Sequence, residues 1–205
     1  IAAIEAIRSE DQEGSIVMIG DDPHGFYSRP GLAYYLTGEL HDEALFPRTK
    51  DDLRRLKFQY IRKRVARIDR DQQLVELIGI HAPLDYDRLL IAVGAQALPL
   101  EVPGANLEGV FKLDHMEDAK RILKFAGRGK TAVVVGGGIT ALELAEGLNA
   151  HGVKVHYLLR GDRYWSNVLD QQESRIIEHR LQEEGIKLHY HAEVIEVTGR
   201  YRKVS

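Results

Sequence analysis

Cysteine is absent from the 205 residues, so disulfides, thiolate metal sites and thiol redox chemistry within the chain are all excluded. Long apolar runs are absent as well. None approaches the about 20 residues of a membrane span, and the opening IAAIEAIRSEDQEG lacks the basic, apolar and cleavage regions of a signal peptide. Charge of one sign is missing too: 28 basic and 31 acidic residues interleave to a net charge of -3. That leaves no basic patch for a nucleic-acid backbone and no acidic tail. Of the nine histidines, only His189 and His191 lie close together, two apart on one strand face and without a third ligand, so no metal site is expected. These absences point to a cytoplasmic protein with small-molecule partners, acting neither on nucleic acid nor at a membrane.

With 44% hydrophobic residues the chain can bury a core, and its length suits one large domain or two small ones. IAAIEAIR has apolar residues at helical spacing but no cap, as though a helix were already under way. SIVMIG reads as a buried strand, the stretch around Leu32 to Leu36 as a short helix after a turn-rich segment, and KDDLRRLK as another helix. The alternation at Arg64 to Ile68 and Gln73 to Leu77 predicts a hairpin, and RLLIAVGA a buried strand. LPLEVPGANLEG, with two prolines and two glycines, reads as a linker. Beyond it come the helix HMEDAKRILKFAG, the strand TAVVV, the helix ITALELAEGLNAHG and the strand VKVHYLL. The helix QQESRIIEHRLQEEG and one or two strands in IKLHYHAEVIEV follow. Strand and helix alternate here, which predicts a parallel sheet with helices on its faces.

Within VVVGGGITALELA, Gly136, Gly138 and Ala141 give GxGxxA between a strand and a helix, with Gly137 and Ile139 filling the turn. The first glycine permits a tight turn and the second lets the backbone approach a pyrophosphate. The third position must be small so that helix and strand pack, and the helix amides face the phosphates. A carboxylate about 20 residues on would bind the ribose hydroxyl of NADH. In VHYLLRGDR that place holds Leu159, followed by Arg160, with Arg163 a turn later. Two guanidinium groups suit a 2′-phosphate, so NADPH is expected over NADH. The alternative is that Arg160 is a solvated loop residue and Asp162 reaches the ribose.

Three ordered stretches, GDDPHGFYSRPGLAYYLTGEL, YDRLLIAVGAQALPLEVPG and VVVGGGITALELAEGLNAHGVKVHYLLRGDR, resemble the FAD-dependent pyridine nucleotide-disulfide oxidoreductases. The likeness is to the branch that includes ferredoxin and rubredoxin reductases and the flavin part of nitrite reductases. It implies an α/β fold of two Rossmann-like dinucleotide-binding domains, both incomplete here. Residues 1–104 would be an FAD domain lacking its first strand and glycine motif, and residues 105–205 an NAD(P) domain lacking its C-terminal part. Such a chain is expected to be a fragment that does not retain FAD by itself.

The resemblance further implies hydride transfer from the nicotinamide to FAD across the domain interface, and electron transfer on to a redox protein or small-molecule acceptor. A homodimer of the whole protein is a further expectation. Asp21 resembles the acidic residue at the FAD ribose, and Arg29 the arginine near its pyrophosphate. Val65 resembles the residue whose backbone meets the adenine, and Ala92 to Gly94 the segment usually Ala-Thr-Gly. Glu143 resembles the glutamate beside nicotinamide and flavin, and is the one catalytic candidate.

Departures from the pattern matter equally. Tyr34 stands where many relatives have a lysine that pairs with that glutamate, and Asp114 where some have an FAD-contacting arginine. Pro30 stands where a second branch, the coenzyme A disulfide reductases and NADH oxidases, carries its redox cysteine. Flavin-to-thiol transfer on this segment is thereby excluded. A regulatory protein that holds FAD and NAD(P) with little turnover is the alternative reading.

Overall fold

The computed structural model describes residues 1–201 and 203–204. In chain order its elements are α1 (Ala2–Glu10), β1 (Val17–Gly20), α2 (Gly31–Thr37), a 3-10 turn (Asp42–Leu45), α3 (Lys50–Arg55), β2 (Gln59–Arg62), β3 (Val65–Asp69), β4 (Leu74–Leu77) and β5 (Leu84–Asp85). There follow α4 (Met116–Phe125), β6 (Thr131–Val135), α5 (Ile139–Ala150), β7 (Lys154–Leu158), α6 (Gln171–Glu183), β8 (Lys187–His189), β9 (Gly199–Arg200) and β10 (Lys203–Val204). The fold is mixed α/β with parallel sheets.

Two compact units divide these elements. One comprises Ile1–Ser28 and Phe46–Gly94, the other Arg29–Leu45 and Ala95–Ser205. The stretch Arg29–Leu45, assigned by sequence to the FAD domain, therefore packs within the second unit.

In the first unit β1 and β2 pair in parallel, Val17 opposite Gln59 through Gly20 opposite Arg62. β3, β4 and β5 form an antiparallel meander. Arg8 fastens α1 to the end of α3: its guanidinium donates to the carbonyls of Leu56 (2.8 Å), Lys57 (2.8 Å) and Asp11 (3.0 Å). Arg8 is buried, and these charge-assisted bonds offset its desolvation. Thr49 begins α3 with a reciprocal capping box to Asp52.

In the second unit β6, β7 and β8 form a parallel sheet, with Val135 opposite Leu158 and Leu158 opposite His189. The period of two along the strands sorts the side chains. Val134, Val155 and Tyr157 are buried on the face that α5 and α6 cover, whereas Val133 and Val135 lie about half exposed on the other. α2 and α5 approach closely. A Cβ added to Gly147 would lie 2.7 Å from the Leu36 Cβ, and His151 Nε2 donates to the Leu36 carbonyl at 2.9 Å. The absence of a side chain at Gly147 is what lets the two helices meet.

One expected strand does not form. RLLIAVGA has no ladder partner among the described residues, and Leu90, Ile91 and Val93 are largely exposed. Its apolar run has strand propensity, but a strand also needs a neighbour to pair its amides and carbonyls. IKLHYHAEVIEV, expected to give one or two strands, gives one, Lys187–His189, after which the chain turns at Tyr190 and His191 takes a φ of 52°. The other expected helices and strands form where the periodicity places them, while β2, β5, β9, β10 and the 3-10 turn arise where no element was expected.

Candidate dinucleotide site

The parallel sheet of the second unit ends in two adjacent turns. Because Val135 and Leu158 are register partners, Gly136 and Leu159 start those turns side by side at the carboxyl edge of β6 and β7. That edge is where open α/β sheets bind nucleotides.

The first turn is built from glycine for separable reasons. Gly136 has φ 145°, and a Cβ there would lie 3.0 Å from the methyl of Ala141. Only glycine suits that backbone, and only a small residue fits opposite it. Gly137 and Gly138 face open space, with no atom within 4 Å of an added Cβ. α5 then starts at Gly138 without a side-chain cap. The amides of Ile139, Thr140 and Ala141 have no acceptor among the described residues. Uncapped amides, the positive end of a twelve-residue helix and an open glycine cradle fit a pyrophosphate.

The second turn carries the charge. The Leu159 side chain is 1% exposed and offers no acceptor. Arg160 is exposed and has no hydrogen bond or ion pair among the described residues. Arg163 is engaged locally instead, with Nη1 on both Asp162 carboxylate oxygens (3.2 and 3.4 Å) and Nη2 on the Ser166 carbonyl (3.2 Å). Of the two arginines, Arg160 is the one ready to meet a phosphate.

α6 holds this turn in place. Glu178 accepts from the Tyr164 amide (2.6 Å) and from the Tyr190 hydroxyl, and the buried Ser174 hydroxyl donates to the Tyr164 carbonyl (2.7 Å). Tyr164 is fully buried edge-on against Tyr157, and burial pushes its phenol up to about 12, with Glu146 and Glu143 adding to the shift. Glu178 and Ser174 were not legible as site residues. Nothing in an amphipathic helix marks which polar residue reaches back 10 or 14 positions to a loop.

Glu143 lies in the second turn of α5. Burial raises its pKa, and no hydrogen bond or ion pair holds it among the described residues. Tyr34, at the place of the missing lysine, is 55% exposed. In the same unit Arg29 donates through Nη1 to the Asp114 carbonyl (2.8 Å). The Asp114 carboxylate accepts from the Ala97 amide (2.6 Å) and pairs with Lys112 (2.7 Å). Hydrogen bonds from Lys112 and Ala97 outweigh desolvation and lower the Asp114 pKa.

The first unit holds the remaining candidates. Asp21 is exposed directly after β1, with no partner among the described residues. Val65 opens β3 opposite Leu77. Ala92 and Gly94 lie in the exposed segment after β5, Gly94 at φ 67°. The structure thus groups Gly136, Gly137, Gly138, Ile139, Ala141, Glu143, Arg160 and Arg163 around one sheet edge. It sets Asp21 and Val65 on separate sheets.

Among known proteins, residues 1–205 match the model of the pyridine nucleotide-disulphide oxidoreductase family. The rhodocoxin reductase of Rhodococcus erythropolis is 36% identical over 170 residues, covering 82% of this chain and 39% of its own. The covalent putidaredoxin reductase–putidaredoxin complex superposes with a TM-score of 0.91 at 29% identity, over 99% of this chain and 50% of that one. An engineered water-forming NADPH oxidase, made from the NADH oxidase of Lactobacillus brevis, superposes with a TM-score of 0.83 at 25% identity, over 97% and 46%. The chain therefore spans half or less of the length of these relatives. In sequence and in fold, this chain belongs to the pyridine nucleotide-disulphide oxidoreductase family.

Proposed function

We propose that the protein is an FAD-dependent NAD(P)H oxidoreductase that prefers NADPH and passes electrons to an external acceptor, such as a redox protein. When bound, the nicotinamide and flavin supply the hydride and electron chemistry. The chain's own residues bind, orient and tune. Gly136 to Ala141 receive the NADPH pyrophosphate on the uncapped amides of α5. Arg160 takes the 2′-phosphate, with Arg163 bracing the loop beside it. Asp21 accepts the FAD ribose hydroxyls, and the backbone of Val65, Ala92 and Gly94 lines the flavin nucleotide. Glu143, half-buried and unpaired, stands at the nicotinamide end.

The observation that carries this reading is the glycine turn: an open cradle and three unsatisfied helix amides at the carboxyl edge of a parallel sheet. Support for NADPH comes from the engineered oxidase. Its five substitutions include a glycine changed to alanine and, 18 positions on, an aspartate to alanine followed directly by an alanine to arginine. This chain has Ala141 and, at the same spacing, the non-acceptor Leu159 followed by Arg160. Relatives named as rhodocoxin reductase and as a putidaredoxin reductase complex support a redox protein as acceptor. The test is anaerobic addition of NADPH to the intact flavin-loaded protein. Bleaching of the flavin band, and faster bleaching than with NADH, is expected. No bleaching with either cofactor would leave the regulatory reading in its place.

A further inference from the structure

The turn carrying Arg160 is stitched to the segment after β8. The Leu159 amide donates to the His189 carbonyl (2.8 Å), the Ala192 amide to the Leu159 carbonyl (3.0 Å), and the His191 amide to the Gly161 carbonyl (3.1 Å). His191 is thereby backbone-bonded to the residue next to Arg160. Three histidines reach this end of the sheet, and two are spent on each other: His156 Nδ1 and His189 Nε2 are 2.9 Å apart in nearly parallel rings. The His191 side chain is exposed and has no partner among the described residues.

His191 also holds a left-handed backbone, φ 52°, which costs a non-glycine residue about 1 kcal/mol. Trp165, across the same loop, does likewise at φ 49°. Strain of this kind persists where the surroundings fix it, and it collects at ligand clamps. Two of the nearby acids are already engaged. Asp162 is bonded to Arg163 and Glu178 to the Tyr164 amide, leaving the exposed Glu193 two residues away.

We propose that His191 is a second recognition residue for the 2′-phosphate of NADPH, donating from its imidazole beside the Arg160 guanidinium. This rests on the reading of Arg160 given above. An imidazole N–H is a compact donor, and a phosphate monoester has oxygens enough for both groups.

The probes are 2′,5′-ADP, which carries the phosphate, and 5′-AMP, which lacks it, titrated calorimetrically into the intact protein and two variants. His191→Gly removes the imidazole at a position whose backbone favours glycine, so the melting temperature is not lowered. It should weaken 2′,5′-ADP by about three- to tenfold and leave 5′-AMP within about twofold. Unchanged 2′,5′-ADP binding, or equal weakening of both probes, would overturn the proposal. Arg160→Leu serves as the reference. If it too leaves 2′,5′-ADP unchanged, the NADPH reading itself fails. If it weakens 2′,5′-ADP while His191→Gly does not, the role of His191 alone is lost.

Discussion

Gly136 and Ala141 share one methyl's worth of space: the Ala141 side chain lies where a side chain on Gly136 would have to go, 3.0 Å from its Cβ position. Gly138, two residues on, faces open space at an ordinary φ of -113°. The two glycines therefore have different jobs. Gly136→Ala should lower the melting temperature as well as dinucleotide affinity, because both backbone and packing oppose it. Gly138→Ala should leave the melting temperature unchanged and weaken NADPH by about tenfold or more, since the methyl enters only the space the pyrophosphate needs. Thermal unfolding with and without NADPH separates the two.

The α2 and α5 contact gives a stability prediction free of any cofactor. A methyl at Gly147 would meet the Leu36 Cβ at 2.7 Å and its backbone carbonyl carbon at 3.2 Å. Gly147→Ala should destabilise by about 1–3 kcal/mol despite alanine's higher helix propensity, which offsets about 1 kcal/mol. Urea unfolding measures it. A gain in stability would mean that the helices are free to separate.

Glu143 predicts a pH dependence. Burial raises its folded-state pKa above the usual carboxylate value of 4.5, so the folded protein holds this proton more tightly than the unfolded chain. Its stabilising contribution is complete below that value and is lost as pH rises through the higher folded pKa. Glu143→Gln should therefore flatten the fall in stability above pH 4.5 relative to the parent. Denaturant midpoints at a series of pH values test this; parallel curves would show that the carboxyl is solvated.

Much of this arrangement was legible before the structure. GGGITA announced its turn because Gly136 answers to a backbone and packing demand that no other residue meets, while Gly137 and Gly138 leave the space before the helix open. LeuLeuArgGly announced a missing carboxylate. RLLIAVGA was misread because apolar content records propensity, whereas a ladder requires a partner. The bracing of Arg163 by Asp162 and Ser166 was equally hidden: an arginine in a loop reads the same whether it awaits a ligand or ties its own turn. His191 sat in a run read as strand, and only its left-handed backbone and its bond to Gly161 draw it to Arg160.

The central claim is that NADPH docks on the glycine turn with Arg160 at its 2′-phosphate. Its most direct test is kcat/KM for NADPH and NADH in the intact protein and in Arg160→Leu, with the flavin retained. The account predicts that the NADPH to NADH ratio falls by about tenfold or more, the loss of one charge-assisted contact, while NADH is nearly unaffected. A ratio unchanged by the substitution would contradict it.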